Sequence, residues 1–250
     1  IQAYALTWAA PYRVGCMSIT SAFALGFDEA YCAQGCKPTK PNPYFNHDGD
    51  RPFQELQIRP TIALAATNFE QAKALIDRGI NSDSTFPSGT AYLLKTSDPA
   101  RNVRSQLYPQ VTQLIAPRFH TEIMQADILK HKRDVMFYFT GLAQVEQIER
   151  NQFLPGAIAD HLTSFGGMLT DSPQMSSLRW LEAGATGSYG NVVEPCNFPQ
   201  KFPHPAVVMN RYLNGDTLLE AYWKGVAMPG QGIFIGEPLA RPFARFQTRN

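Results

Sequence analysis

The feature that most constrains this chain is the alternation of short apolar runs with capped amphipathic segments. Residues 58–66 form an apolar run. Next comes Thr67-Asn68, then Phe69, Ala72, Leu75 and Ile76 at the spacing of one helix face. Thr67 with Glu70 three residues later reads as a capping box. Residues 90–95 read as a strand, and Asp98-Pro99 as the start of a helix with Asp as cap and Pro in the first turn. Val135–Phe139 is another apolar run, Gly156–Ala159 leads into a further strand, and Ser172–Leu181 reads as helix. Ala185–Tyr189 reads as a strand, 205–213 and 216–227 as helices with Asp216 capping the second, and Ile233–Ile235 as a last strand. Strands that alternate with helices bury both faces of a sheet, so the pattern predicts an α/β fold with a mainly parallel sheet flanked by helices on both faces.

At 250 residues with 44% hydrophobic side chains, the chain can bury a sizeable core as one domain. We expect one domain over 1–250, with a loop or insertion at about 28–55. The first residues, Ile1–Leu6, read as a strand within 1–9, so a portion N-terminal to them is expected to be missing. The formal net charge is +1 with no Lys/Arg block, which argues against a nucleic-acid partner. No apolar run reaches the roughly 18 residues of a membrane span. The cysteines are Cys16, Cys32, Cys36 and Cys196. Their spacing favours disulfides over free thiols or a zinc site, and with them an exported protein.

Sites in open parallel sheets gather at the carboxyl ends of strands. Three such ends carry polar residues: Thr140-Gly141, the segment Asp160–Gly167, and Ser188-Tyr189-Gly190 followed by Glu194-Pro195-Cys196. The second is the densest. Strand alternation sends His161 and Thr163 to one face and Asp160, Leu162 and Ser164 to the other, so Asp160 and His161 do not form a local triad. Candidate catalytic residues are His161 as base with Ser164 or Cys196 as nucleophile. Candidate ligand contacts are Thr140, Asp160, Thr163, Ser188 and Glu194. Metal binding by His161 with Asp160, Glu194 or Cys196 is a further reading. The same hydroxyls also suit a strand end that bonds its own backbone, and Cys196 suits a disulfide. Asn46–Asp50 has the oxygens of a calcium loop without its further ligands and reads as a turn. Glu182 with Glu194 offers an acid/base pair that no spacing demands, and His120 and His131 read as flanking a helix. No phosphate-binding loop, dinucleotide fingerprint, zinc-protease or serine-elbow motif is present, so no cofactor is expected.

The phrases Tyr138–Leu142, Pro155–Gly167, Gly184–Pro195 and Gly236–Phe243 resemble an uncharacterised exported bacterial family found in genomes with the exosortase/PEP-CTERM sorting system. The resemblance covers nearly the whole chain. More distantly, the second half is similar to the caspase-like fold of gingipain-type peptidases. That resemblance implies a three-layer architecture, with catalytic His-Gly where Thr140-Gly141 stands and catalytic Cys where the Ser164–Gly167 turn stands. Both catalytic residues are absent here. The expectation is therefore a non-catalytic exported domain that binds a surface protein or polysaccharide. The alternative is a hydrolase, peptidase or esterase in type, with a rearranged site.

Overall fold

A computed structural model describes residues 4–6, 13–32 and 36–245 of the chain. The apolar runs become strands β1 (Tyr4–Leu6), β4 (Thr61–Ala63), β5 (Thr90–Lys95), β7 (Val135–Thr140), β8 (Phe153–His161), β9 (Gly187–Asn191) and β10 (Gly232–Gly236). They are joined by β6 (His120–Gln125) and by a small hairpin of β2 (Arg13–Val14) and β3 (Met17–Ser18). The helices are α1 (Ile19–Leu25), α2 (Pro52–Leu56), α3 (Phe69–Ser82), α4 (Tyr108–Ile115), α5 (Leu178–Glu182), α6 (Pro205–Leu213) and α7 (Leu218–Gly225).

Eight strands form one sheet in the order β1-β4-β10-β9-β8-β7-β5-β6. Every neighbouring pair is parallel except β10 with β9. The fold is thus α/β with a mainly parallel sheet flanked by helices, as the alternation predicts. Strands β6, β5, β7, β8 and β9 run one way, so Thr140, His161 and Asn191 end side by side.

Side-chain alternation sorts the core into two layers. On one face Ala91, Leu93, Phe137, Phe139, Ile158, Tyr189 and Phe234 pack beneath α1, α4, α6 and α7. On the other, Tyr92, Leu94, Tyr138, Ala157 and Ala159 pack on Trp180 of α5, and Ile233, Ile235 and Ala63 on Leu75 of α3. Trp223 locks α7 down: its ring stacks on Phe234 at 4.6 Å and its indole N–H donates to Thr61 O at 2.9 Å.

Several local signals were satisfied by different residues. Asn68, not Thr67, caps α3 by accepting from the Gln71 amide. Asp98 accepts from the amides of Ala100 and Arg101, but this is a turn. A 3-10 stretch (Val103–Leu107) intervenes before α4 begins at Tyr108. The expected helix at 172–181 is confined to Leu178–Glu182, because residues up to Ser177 are spent on the turn that holds His161. His120 starts the edge strand β6 rather than flanking a helix. Helix α7 is capped by Thr217, not Asp216: the Glu220 amide donates to Thr217 Oγ1, and Glu220 Oε2 accepts from the Thr217 amide at 2.9 Å. Replacing Thr217 with alanine removes half of this reciprocal pair. It is expected to cost about 1 kcal/mol, readable as a lower midpoint in urea unfolding with unchanged slope.

Two disulfides pin the 28–55 loop. Cys16 bonds Cys32, and Cys36 bonds Cys196 after β9. The loop also runs along the end of α7. Asn42 donates to the carbonyls of Trp223 and Val226, which the helix itself leaves unpaired. The loop is therefore part of the packed domain. Two disulfides point to an oxidising, exported environment. No helix among the described residues is long and apolar enough to cross a membrane. Of the strand expected over residues 1–9, Tyr4–Leu6 is present and the remainder lies outside the described residues.

Candidate functional site

The three polar strand ends do converge. Register places Thr140 beside His161 and Phe139 beside Asp160, with β9 on the far side of β8. Alternation then divides the dense segment between the two faces of the sheet.

Asp160 points into the layer beneath α4, α6 and α7. It is 1% exposed, and its Oδ1 lies 2.5 Å from Arg104 Nη1, which is equally buried. Arg104 is held by its other contacts: Nη2 donates to Thr140 O at 2.9 Å, Nη1 to Pro203 O at 3.3 Å, and the guanidinium lies 5.2 Å from the Phe139 ring. The approach to Asp160 is a charge contact without hydrogen-bond angles. Both Asp160 oxygens and Arg104 Nε have no hydrogen-bond partner among the described residues. Burial pushes the Asp160 carboxyl up to about 6, and Arg104 pulls it only part of the way back. For Arg104, burial opposes the charge and Asp160 more than offsets it, so its pKa is raised. Arg104 therefore keeps its charge, and the cost of burial falls on the carboxyl, which ionises only above about pH 6. The geometry accounts for the raised Asp160, because a buried carboxylate with no directed donor is poorly solvated.

His161 points into the opposite layer. Trp180 Nε1 donates to its Nδ1 at 2.9 Å, so the ring proton belongs on Nε2, which donates to Met175 O at 3.0 Å. Burial pushes its pKa down to about 4. Both nitrogens are used, and no nitrogen is left to take a proton from Ser164. Ser164 sits half-buried on the bend that follows the strand.

The residues beyond the strand act as a clamp. Thr163 Oγ1 accepts from Arg101 Nε at 3.0 Å and donates to Gln174 Oε1 at 2.8 Å, and Gln174 also accepts from the Phe165 amide. The Gly167 amide donates to Asn191 O at 2.8 Å, and Ser177 N to Gly166 O at 2.7 Å. Gly167 and Gly190 lie backbone to backbone. A Cβ on Gly167 would sit 2.3 Å from Gly190 O, and one on Gly190 would sit 2.4 Å from Gly167 N. The two glycines therefore allow close approach of β9 to the turn after β8, which leaves no open space at this point.

Among the described residues, no hydrogen bond joins the side chains of the other predicted site residues to one another. Thr140 and Ser188 are buried, and their hydroxyls have no partner among the described residues. Glu194 Oε1 accepts from the Cys196 amide at 2.8 Å. Cys196 is in the disulfide with Cys36, so the reading of Cys196 as a thiol nucleophile is corrected: it has no thiol. Among the described residues no group of three or more His, Cys, Asp or Glu could hold a metal ion, because Asp160 and His161 face opposite layers. Glu182 pairs with Arg179 at 2.6 Å, not with Glu194. In the Asn46–Asp50 turn, Asp48 pairs with Arg211.

Sequence reasoning missed Arg104, Trp180 and Lys201. Lys201 is fully buried, lies 5.0 Å from the Phe198 ring, and its ammonium has no hydrogen-bond partner among the described residues; burial lowers its pKa. It also missed a large cleft. A cleft of about 1320 Å³ opens at the other end of the sheet, by the amino ends of β5 and β6. Arg118, Arg241, His120, Asp83, Asn214 and Phe86 line it. Ser84 (φ 57°) and Phe86 (φ 49°) form its lip in the left-handed region that side chains other than glycine rarely adopt. They are held there by bonds from their amides to Arg241 O (3.1 Å) and Pro242 O (3.0 Å).

Comparison of the chain with protein-family models, with curated proteins and with solved structures returns no match.

Proposed function

We propose that this chain is an exported, non-catalytic binding domain of caspase-like architecture, and that its ligand, a partner protein or surface polymer, occupies the cleft at the amino ends of β5 and β6. One observation carries this reading. The residues that the sequence offers as base and nucleophile at the carboxyl end of the sheet do not come together as a dyad. His161 uses both ring nitrogens, Cys196 is oxidised, and among the described residues no hydrogen bond joins Ser164 to His161. A large open cleft lies at the opposite end, while a smaller pocket at the carboxyl end, lined by Lys95, Asn102 and Gln106, contains none of the predicted site residues. Ligand sites are concave, with a few polar groups held in place by the fold.

The test is a library of peptide and ester substrates together with a fluorophosphonate probe. No turnover above background and no labelling of Ser164 are expected. Robust cleavage that disappears in Ser164→Ala or His161→Ala overturns the reading. His161→Ala also breaks the Trp180 bond, so Ser164→Ala, at a half-exposed position, is the cleaner variant.

A further inference from the structure

We infer that the cleft binds an acidic sugar chain, a polysaccharide bearing carboxylate groups, with Arg241 and Arg118 gripping the carboxylates and Phe86 giving a sugar ring its platform. This inference rests on the binding reading above and names its ligand class.

The two arginines are already oriented. Arg241 donates its Nε to Gly215 O at 2.5 Å, and its own amide donates to Asp83 Oδ1 at 2.8 Å. The bond fixes the guanidinium plane and leaves the two terminal nitrogens as its remaining donors. Arg118 is set by bonds from both terminal nitrogens, Nη1 to Asn210 Oδ1 (3.1 Å) and Nη2 to Leu213 O (3.0 Å), so it offers a carboxylate its charge and the second N–H of each nitrogen, while Arg241 offers the open fork. An arginine pre-positioned in this way loses little freedom on binding. Its planar fork matches a carboxylate with two parallel bonds. Arg245 adds to the positive side of the same cleft.

The rest of the lining decides between a sugar chain and an acidic peptide. Asp83, Asp50, Asn214, Ser84 and Ser88 also face the cleft. Carboxylate and amide oxygens there suit a ligand rich in hydroxyl donors, which a sugar chain carries on every ring and an acidic peptide does not. A sugar chain carries both hydroxyls and carboxylates. Phe86 is 51% exposed beside Pro87, although its backbone sits in a conformation that disfavours it. Backbone strain of this kind persists only where surrounding structure imposes it, and it clusters at ligand clamps. An exposed aromatic ring offers an apolar face to the C–H face of a sugar.

The experiment is calorimetric titration of the oxidised chain with three probes: oligogalacturonate, neutral dextran oligomers, and poly-glutamate peptide. Hydrogen exchange of residues 83–89 and 213–217 is followed alongside. Oligogalacturonate alone is expected to bind, more weakly at higher salt, with protection of both segments. Arg241→Gln is expected to weaken binding about tenfold or more, the equivalent of one charge-assisted hydrogen bond. Because Arg241 also supports the loop, Phe86→Asn is the second variant. Asparagine tolerates the left-handed region, so this variant is expected to keep or raise its unfolding midpoint while losing affinity.

Equal binding of dextran, or binding of poly-glutamate in place of oligogalacturonate, overturns the inference and leaves a binding domain standing. Binding of none of the probes overturns it as well. Oligogalacturonate binding unchanged in both variants shows that the site lies elsewhere and overturns it too. The broader reading falls separately, on Ser164-dependent cleavage.

Discussion

Replacing Arg104 with methionine is expected to destabilise the domain by about 3–5 kcal/mol, the usual cost of removing one partner of a buried ion pair. The substitution leaves Asp160 with both oxygens buried and no cation within reach, in a layer formed by Tyr108, Phe139, Tyr189 and Tyr222. It also takes away the donors to Thr140 O and Pro203 O. Thr140 O keeps the Leu162 amide as a second donor, so the carbonyl cost falls mainly on Pro203. Asp160→Leu alone is expected to cost a similar amount, because it strands the guanidinium. The double variant Arg104→Met/Asp160→Leu removes both charges and fills the space with apolar atoms. It is expected to recover most of the loss and to unfold within about 1–2 kcal/mol of the parent. Urea unfolding of the four proteins measures this as a double-mutant cycle. A single-variant loss below about 1 kcal/mol would mean that the pair does not exist in solution. A double variant as unstable as the two singles summed would mean that the residues act independently.

That pair shows what the sequence could and could not reveal. Strand β5 and helix α6 are legible to the residue, because an uninterrupted apolar run and a proline in the first helical turn mark them. The separation of Asp160 from His161 is legible too, since it follows from alternation alone and no tertiary information is needed. Their partners are not. Arg104 lies 56 positions before Asp160 and reads as an ordinary surface arginine until α4 folds over β7 and β8. Trp180 reads as a core aromatic whose N–H has no visible destination. The same limit applies to Cys196, whose bond to Cys36 spans 160 residues. At β6 the reading failed for a different reason. An edge strand with a mixed burial pattern lacks the apolar run by which the inner strands announce themselves. The cleft was invisible because it is made from loops distant in sequence, 83–89, 118–120, 213–217 and 239–245, meeting at one end of the sheet. The polar density that draws attention to 160–167 instead satisfies a strand end, a turn and a close backbone approach.

Acid titration is expected to separate the two faces of β8, because their buried groups respond to pH with opposite sign. His161 is held neutral, with its pKa pushed down to about 4. Between about pH 6.5 and pH 4 the unfolded chain takes up a proton there that the folded chain refuses, so stability falls as pH falls through that window. Asp160 is the reverse. Its carboxyl is pushed up to about 6 from its ordinary value of 3.8. The folded chain protonates first, and a penalty present above pH 6 is relieved as pH falls towards 4. At about 1.4 kcal/mol for each tenfold change in proton affinity, each effect is worth about 3 kcal/mol. They nearly cancel in the parent chain. The double variant Arg104→Met/Asp160→Leu lacks the compensating carboxyl. It is therefore expected to lose about 3 kcal/mol more than the parent between pH 6.5 and pH 4. His161→Gln keeps the carboxyl and removes the imidazole, so its stability relative to the parent is expected to climb by a similar amount over the same interval. Other groups titrate nearby: His204 has a lowered pKa, and Asp216 and Glu237 have raised ones. Asp216 and Glu237 feel neither Arg104 nor Asp160 and drop out of the differences; His204 drops out for His161→Gln, while in the double variant it loses the smaller contribution that Arg104 makes to its lowered pKa. Urea midpoints at half-unit steps of pH measure both slopes. Parallel profiles for the parent and the double variant would mean that Asp160 is ionised throughout the window. Parallel profiles for the parent and His161→Gln would mean that burial does not hold the imidazole neutral.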